Sequence, residues 1–196
     1  MKNDFTVNDA IEALRMTPEG ASAGMVNIKG TIYAVKPKTV YVIAFLTDTQ
    51  AENGNLLIQA NKRKPGLRNF DSNMLPDGTM QLVQSVRILS ANALAAHTDA
   101  ALQGAAFQDD AVATVYNGEL KFNQNQVLAE FSGSDVCNNK ASTGNNDDFR
   151  VFNPFLLRDQ VETSIVLTGS GTAPAANDAI KLEYRCLEFV KATRAS

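Results

Sequence analysis

The sequence predicts a mainly β chain folded as an antiparallel β-sandwich or barrel, and three observations carry that reading. Runs rich in Val, Ile, Thr, Tyr and Phe recur along most of the chain, several of them alternating apolar and polar residues with a period of two. Clusters of Gly, Pro, Asn and Asp separate those runs. Only two short stretches carry helical spacing, and about eight or nine strands against two helices leave a sandwich or barrel as the architecture. With 44% hydrophobic and 20% charged residues the chain can bury a core. Its 196 residues suit one large domain, or one domain with an arm. No internal repeat is present, which disfavours a propeller or a solenoid.

The helix signal comes first. Phe5 precedes Thr6, and Asp9 lies three residues beyond it in the arrangement of a capping box. Val7, Ala10, Ile11 and Leu14 follow on one face, and Thr17-Pro18 and Gly20 stop the helix. Residues 1–20 therefore read as a helical arm ahead of a single β domain at 21–196. The apolar stripe of that arm needs a surface, either on its own domain or on a neighbour.

Strands follow from residue 25. "MVNIKGTIYAV" and "TVYVIAFLT" read as two strands parted by a corner at Lys36-Pro37-Lys38. In the second, Val40, Val42, Ala44 and Leu46 alternate with Tyr41, Ile43 and Phe45, so cover is expected on both faces. "AENGNLLIQA" reads as a turn entering a strand, 63–78 as a long loop, and "TMQLVQSVRILSA" as a strand. Thr98 is placed to cap a short helix ending at Gly104. Asn117-Gly118 is the strongest short-range hairpin signal. "QVLAEFSGSD" continues the β pattern, and the polar tract 138–148 has the composition of a surface loop. In "NPFLLRDQVETSIVLTGSG", Val161, Thr163, Ile165 and Leu167 alternate with Glu162, Ser164 and Val166. Ile180, Leu182, Tyr184 and Cys186 repeat the alternation, but Leu187 and Phe189 then fall on what had been the polar face. Either a bulge restores the inward direction or the strand end meets another subunit.

Charge and motifs remove several functions. A net charge of −3 and a pI near 5.2 leave no basic surplus for phosphates, so sequence-specific nucleic-acid binding is not expected. Residues 1–98 hold ten Lys/Arg and eight Asp/Glu, whereas 99–196 hold eight and thirteen, a split that complementary faces of an assembly would use. Nothing approaches a membrane span, and the start has no apolar run behind its lysine, so synthesis in a cytoplasm without membrane insertion is expected. Cys137 and Cys186 form no CxxC pair and read as two reduced thiols rather than one bridge. His97 is the sole histidine, too few for a zinc site. "TGSGTAP" lacks the GK[ST] ending of a phosphate loop. Asn145, Asn146, Asp147 and Asp148 offer oxygens of the kind calcium prefers, but without the spaced loop pattern they read as solvated. Asp109-Asp110 and Asp147-Asp148 are the tight acid pairs, and no Gly-x-Ser-x-Gly elbow occurs. No catalytic residue, cofactor or metal is expected. Trp is absent, and Tyr33, Tyr41, Tyr116 and Tyr184 all sit inside β patterns, which weighs against stacking on sugars.

Three stretches carry a resemblance: "QLVQSVRILSA", "VYNGELKFNQNQVLAEFSGSD", and the ending "NPFLLRDQVETSIVLTGSG" with "AIKLEYRCLEF". Together they resemble the jelly-roll capsid and capsid-associated proteins of icosahedral bacteriophages. The likeness covers most of the chain and is architectural. It implies a jelly-roll sandwich whose role is self-association into a shell. The partners would be further copies and other virion proteins, and the location a virion assembled in a bacterial host cytoplasm. Val7, Ile11 and Leu14 are then candidates for an arm contact, and Leu187 and Phe189 for a second one; core packing within the chain is the competing role for all five. A rival reading is a receptor- or carbohydrate-binding module with a pocket between loops 61–79 and 138–148. A third is a small hydrolase in which distant acids or His97 converge.

Overall fold

The computed structural model describes residues 5–16, 24–51, 54–57, 63–70, 72–108, 113–137, 149–169 and 173–192. Among them the chain is mainly β. In order it forms α1 (Val7–Met16), β1 (Met25–Ile28), β2 (Thr31–Phe45), α2 (Leu46–Ala51), β3 (Thr79–Ala91), α3 (Asp99–Gly104) and α4 (Ala113–Tyr116). There follow β4 (Glu119–Gln124), β5 (Gln126–Ser132), α5 (Gly133–Val136), β6 (Arg150–Leu157), β7 (Ser164–Thr168) and β8 (Ala179–Lys191). One sheet has the order β1-β2-β8-β3-β6 and the other β5-β4-β7, all pairs antiparallel. Gly54–Leu57 runs beside β7, with Leu56 N–H donating to Ile165 O and Leu167 N–H to Gly54 O, each at 2.8 Å.

Alternation decides which residues meet between the sheets. Val40 and Val42 of β2, Val83, Val86 and Ile88 of β3, and Ile180, Leu182, Tyr184 and Cys186 of β8 face Leu120 and Phe122 of β4 and Ile165 and Leu167 of β7 in one core. The expected second cover over β2 is also there. Ile43 and Phe45 turn outward and are buried beneath Leu67 and Leu102, the latter on α3. Thr98 caps α3 by accepting from the Ala101 N–H, as its position predicts.

Several sequence expectations are corrected. "MVNIKGTIYAV" is not one strand but the hairpin β1–β2, turning at Lys29 and Gly30, both with positive φ (50° and 81°) as a two-residue hairpin turn requires. Lys36-Pro37-Lys38 is not a corner, because β2 runs straight through it paired to β8. Val35 N–H points away from β8 to Gly24 O, so the Pro37 nitrogen, two residues on, points the same way. β1 has ended by then, and the missing N–H breaks no ladder bond. Asn117-Gly118 is not a hairpin turn but the link from α4 to β4. Gly118 is needed there because a Cβ would overlap Thr168 O. The true hairpin joins β4 to β5 at Asn125, φ 58°. Asn153-Pro154 lies inside β6, where residues 152–154 bulge opposite Gln84 of β3. β2 simply ends at Phe45, and α2, which no spacing in the sequence announces, takes over.

The phase slip in β8 has a different origin from either expected one. β8 keeps unbroken register with β2, and the odd residue is Gln84 of β3, between Val83↔Cys186 and Ser85↔Arg185. Leu187 and Phe189 point outward because the outer face there is covered by α1. Phe5, Ala10, Val26, Ile28, Tyr33, Met80, Leu82, Leu156 and Phe189 form a second core, with Val7, Ala13 and Leu14 against it. The helix is thus no free arm but a lid on its own sheet. The capping box forms, Thr6 N–H donating to Asp9 Oδ2 at 2.8 Å and Asp9 N–H to Thr6 Oγ1 at 3.2 Å. Lys29 then ties Asp9 to the β1–β2 turn at 2.8 Å.

Candidate functional site

The five residues predicted for subunit contacts separate on this fold. Phe189 is fully buried, its ring 5.6 Å from that of Phe5 and 6.5 Å from that of Tyr33. Val7, Leu14 and Leu187 pack partly buried against the same cluster. Ile11 is partly buried and stands outside it. Intramolecular packing under α1 accounts for four of the five.

A different set of apolar side chains is left in solvent. On β2, the inward-facing series that begins with Val42 and Val40 continues through Lys38 and Lys36 to Ala34 and Ile32. Ala34 pairs with Met25 on one side and Val190 on the other, so Met25, Ala34 and Val190 form one row across three strands, with Ile32 one step along. At this end no described element covers the sheet's inner face: Met25 is 53% exposed, Ile32 45% and Val190 36%. The result is a contiguous apolar platform, with exposed Lys36 on β2 and Lys191 on β8 close by in sequence. The sequence held a signal for it, since "TIYAV" is apolar on both strand faces, as "VYVIAF" is. The other exposed valines, Val127 and Val151, stand singly on β5 and β6.

Between platform and core lies a cavity of about 130 Å³. Leu57, Phe70 and Leu157 supply apolar wall, and Lys38, Gln81 and Tyr184 a polar one. Tyr184 O–H donates to Gln81 Oε1 at 3.0 Å, Gln81 Nε2 donates to Glu188 Oε1 at 3.0 Å, and Lys38 Nζ donates to the same Glu188 oxygen. Complete burial holds the Tyr184 phenol well above its ordinary value, so it stays a donor. Ser72, Met74 and Pro76 are exposed at the mouth. This pocket belongs to the loop region 61–79 named by the sequence. The other loop, 138–148, with Asn145, Asn146, Asp147 and Asp148, lies outside the described residues, as do Asp109 and Asp110.

The described histidine, both cysteines and Glu183 are engaged structurally. His97 stacks on Phe45 at 3.8 Å; its Nδ1 is 3.2 Å from Ala176 O and its Nε2 3.1 Å from the Asp48 carboxylate. Both ring nitrogens face acceptors, and neither is open to a nucleophile's proton. Cys137 and Cys186 are free and buried in the main core, and burial pushes both thiols up to about 12. On the outer face of the larger sheet, Glu183 accepts from Arg87 Nε and Lys181 Nζ, each at 2.6 Å. Burial would raise its pKa, but those two cations outweigh burial and lower it. The Arg87 and Arg185 guanidiniums lie 4.4 and 3.9 Å from the centre of the Phe149 ring. No group of three His, Cys, Asp or Glu among the described residues is gathered to hold a metal ion, and no described helix is long and apolar enough to cross a membrane. Comparison with protein-family models, curated proteins and solved structures finds no match.

Proposed function

We propose that this chain is a shell subunit of a bacteriophage-type virion, acting by self-association and meeting other copies and other virion proteins. The observation that carries the reading is the platform of Met25, Ala34, Ile32 and Val190, a contiguous apolar surface that no described element of the chain covers. Strand order supports the jelly-roll form of the sandwich. Successive segments change layer: β2 in the larger sheet, 54–57 beside β7, β3 back in the larger sheet, β4 and β5 across, then β6, β7 and β8 in alternation. Two interleaved Greek keys give that order, with β1 as an added edge hairpin.

The platform is small. Four side chains fall short of the roughly 800 Å² per partner of a stable binary interface, so one such contact is weak, and many repeated around a closed shell sum to a durable one. Light scattering after size exclusion, with electron microscopy, tests the reading. Concentration-dependent assembly into closed particles is expected, and Ile32→Asp should abolish it while leaving the β fold intact. A chain that stays monomeric at every concentration, or an Ile32→Asp variant that assembles like the parent, sinks the proposal.

A further inference from the structure

The cavity beside the platform supports a second inference, independent of assembly. We infer that it is a binding site for a small carboxylate with a compact apolar body. Its volume, about 130 Å³, is close to that of an apolar protein cavity known to admit benzene, so it suits a molecule of about six to nine heavy atoms. Its lining is of two kinds. Leu57, Phe70 and Leu157 present only carbon, and a molecule lying on them leaves water at no polar cost.

The polar part of the lining is fixed before any ligand arrives. The side-chain amide of Gln81, a residue 2% exposed, is held at both ends, its oxygen accepting from Tyr184 and its nitrogen donating to Glu188. The Glu188 carboxylate can only accept, so the amide nitrogen must face it and the amide cannot flip. Its second N–H, and the N–H groups of Lys38 not given to Glu188, are then the donors left on this wall. Lys38 is also the lining residue that carries charge, while Glu188, its partner, does not line the cavity. Donors with one positive charge select an acceptor-rich anionic head, and the carbon wall selects an apolar remainder. Ser72, Met74 and Pro76, exposed at the mouth, mark the way in.

The test titrates the intact chain with benzoate and, separately, with neutral benzamide, following backbone amides by ¹H–¹⁵N NMR. Saturable shifts with benzoate are expected at residues 38–40, 69–70, 72–75 and 81, with benzamide roughly tenfold weaker. Lys38→Met should weaken benzoate by roughly tenfold or more and leave benzamide unchanged. Met74→Trp, at a 45% exposed position, should block benzoate by filling the mouth without disturbing the core; it stands as a test on its own if Lys38→Met fails to fold. Absence of any saturable shift at millimolar benzoate makes the cavity a solvent pocket and overturns the inference. So does benzamide binding as tightly as benzoate, or Met74→Trp leaving the shifts intact.

Discussion

Replacing Phe189 with Ala separates packing within the chain from packing between chains. The ring is fully buried between the sheet and α1, in edge-on contact with Phe5 and Tyr33. Truncating a buried Phe costs about 3–5 kcal/mol, through lost transfer energy and the cavity left behind. In a chain of 196 residues each kcal/mol moves Tm by about 2–4 °C, so a fall of order 10 °C is expected. Thermal unfolding followed by circular dichroism, at two well-separated protein concentrations, measures it. Hydrogen exchange should show α1 losing protection first, because Phe189 is the surface on which Phe5 rests. Ile11→Ser, outside the cluster, should cost about 1 kcal/mol or less. If Phe189→Ala keeps Tm within about 2 °C yet lowers the assembled mass, the residue meets another copy and the description of α1 as a lid is wrong.

Other outcomes follow from single positions. Gly133→Ala should destabilise by about 1–3 kcal/mol in urea unfolding, because a Cβ there overlaps the Val115 and Tyr116 carbonyl oxygens of α4; an unchanged midpoint would mean that α4 and α5 slip apart freely. Neither cysteine should react with a thiol reagent at pH 8, since both are buried and their pKa values are pushed up to about 12. Both should react in urea, and fast labelling of the native chain would contradict their burial. The Lys29 hydrogen bond, with help from Thr6, lowers the Asp9 carboxyl from 3.8 to about 2. A lowered carboxylate contributes in full above its unfolded pKa and is lost as pH falls through the folded one. Docking of α1 should therefore weaken between pH of about 4 and 2, and Asp9→Asn should remove that step from an acid titration of α1 exchange rates.

What the sequence made legible is what local physics decides. β3 was readable from "TMQLVQSVRILSA" to the residue, and so were the Thr6–Asp9 box and the Thr98 cap, because period, propensity and capping chemistry all act within a few residues. Lys29-Gly30 was missed as a turn because the pair lacks the Asn or Asp that usually marks it, while Asn117-Gly118 misled because α4, not a strand, precedes it. Pro37 was misread for a reason beyond local pattern. Whether a proline breaks a strand depends on which neighbour its nitrogen faces, and only the pairing with β1 and β8 tells. Leu187 and Phe189 show the same limit, since their outward direction makes sense only once α1 is known to lie over them. For the platform and the cavity the sequence held only a trace, the doubly apolar "TIYAV" and the loop 61–79, because where one layer stops short of the other is set by the whole fold.

The irregularities along the sheet margins have a consequence for freshly made chains. β5 carries the unpaired Leu128, β6 buckles at Pro154, and β1 is only four residues long. A bare, flat, lengthy margin is a template for runaway strand addition. Here each described margin is crooked or brief, so crowded, freshly made copies are denied the fibrous route.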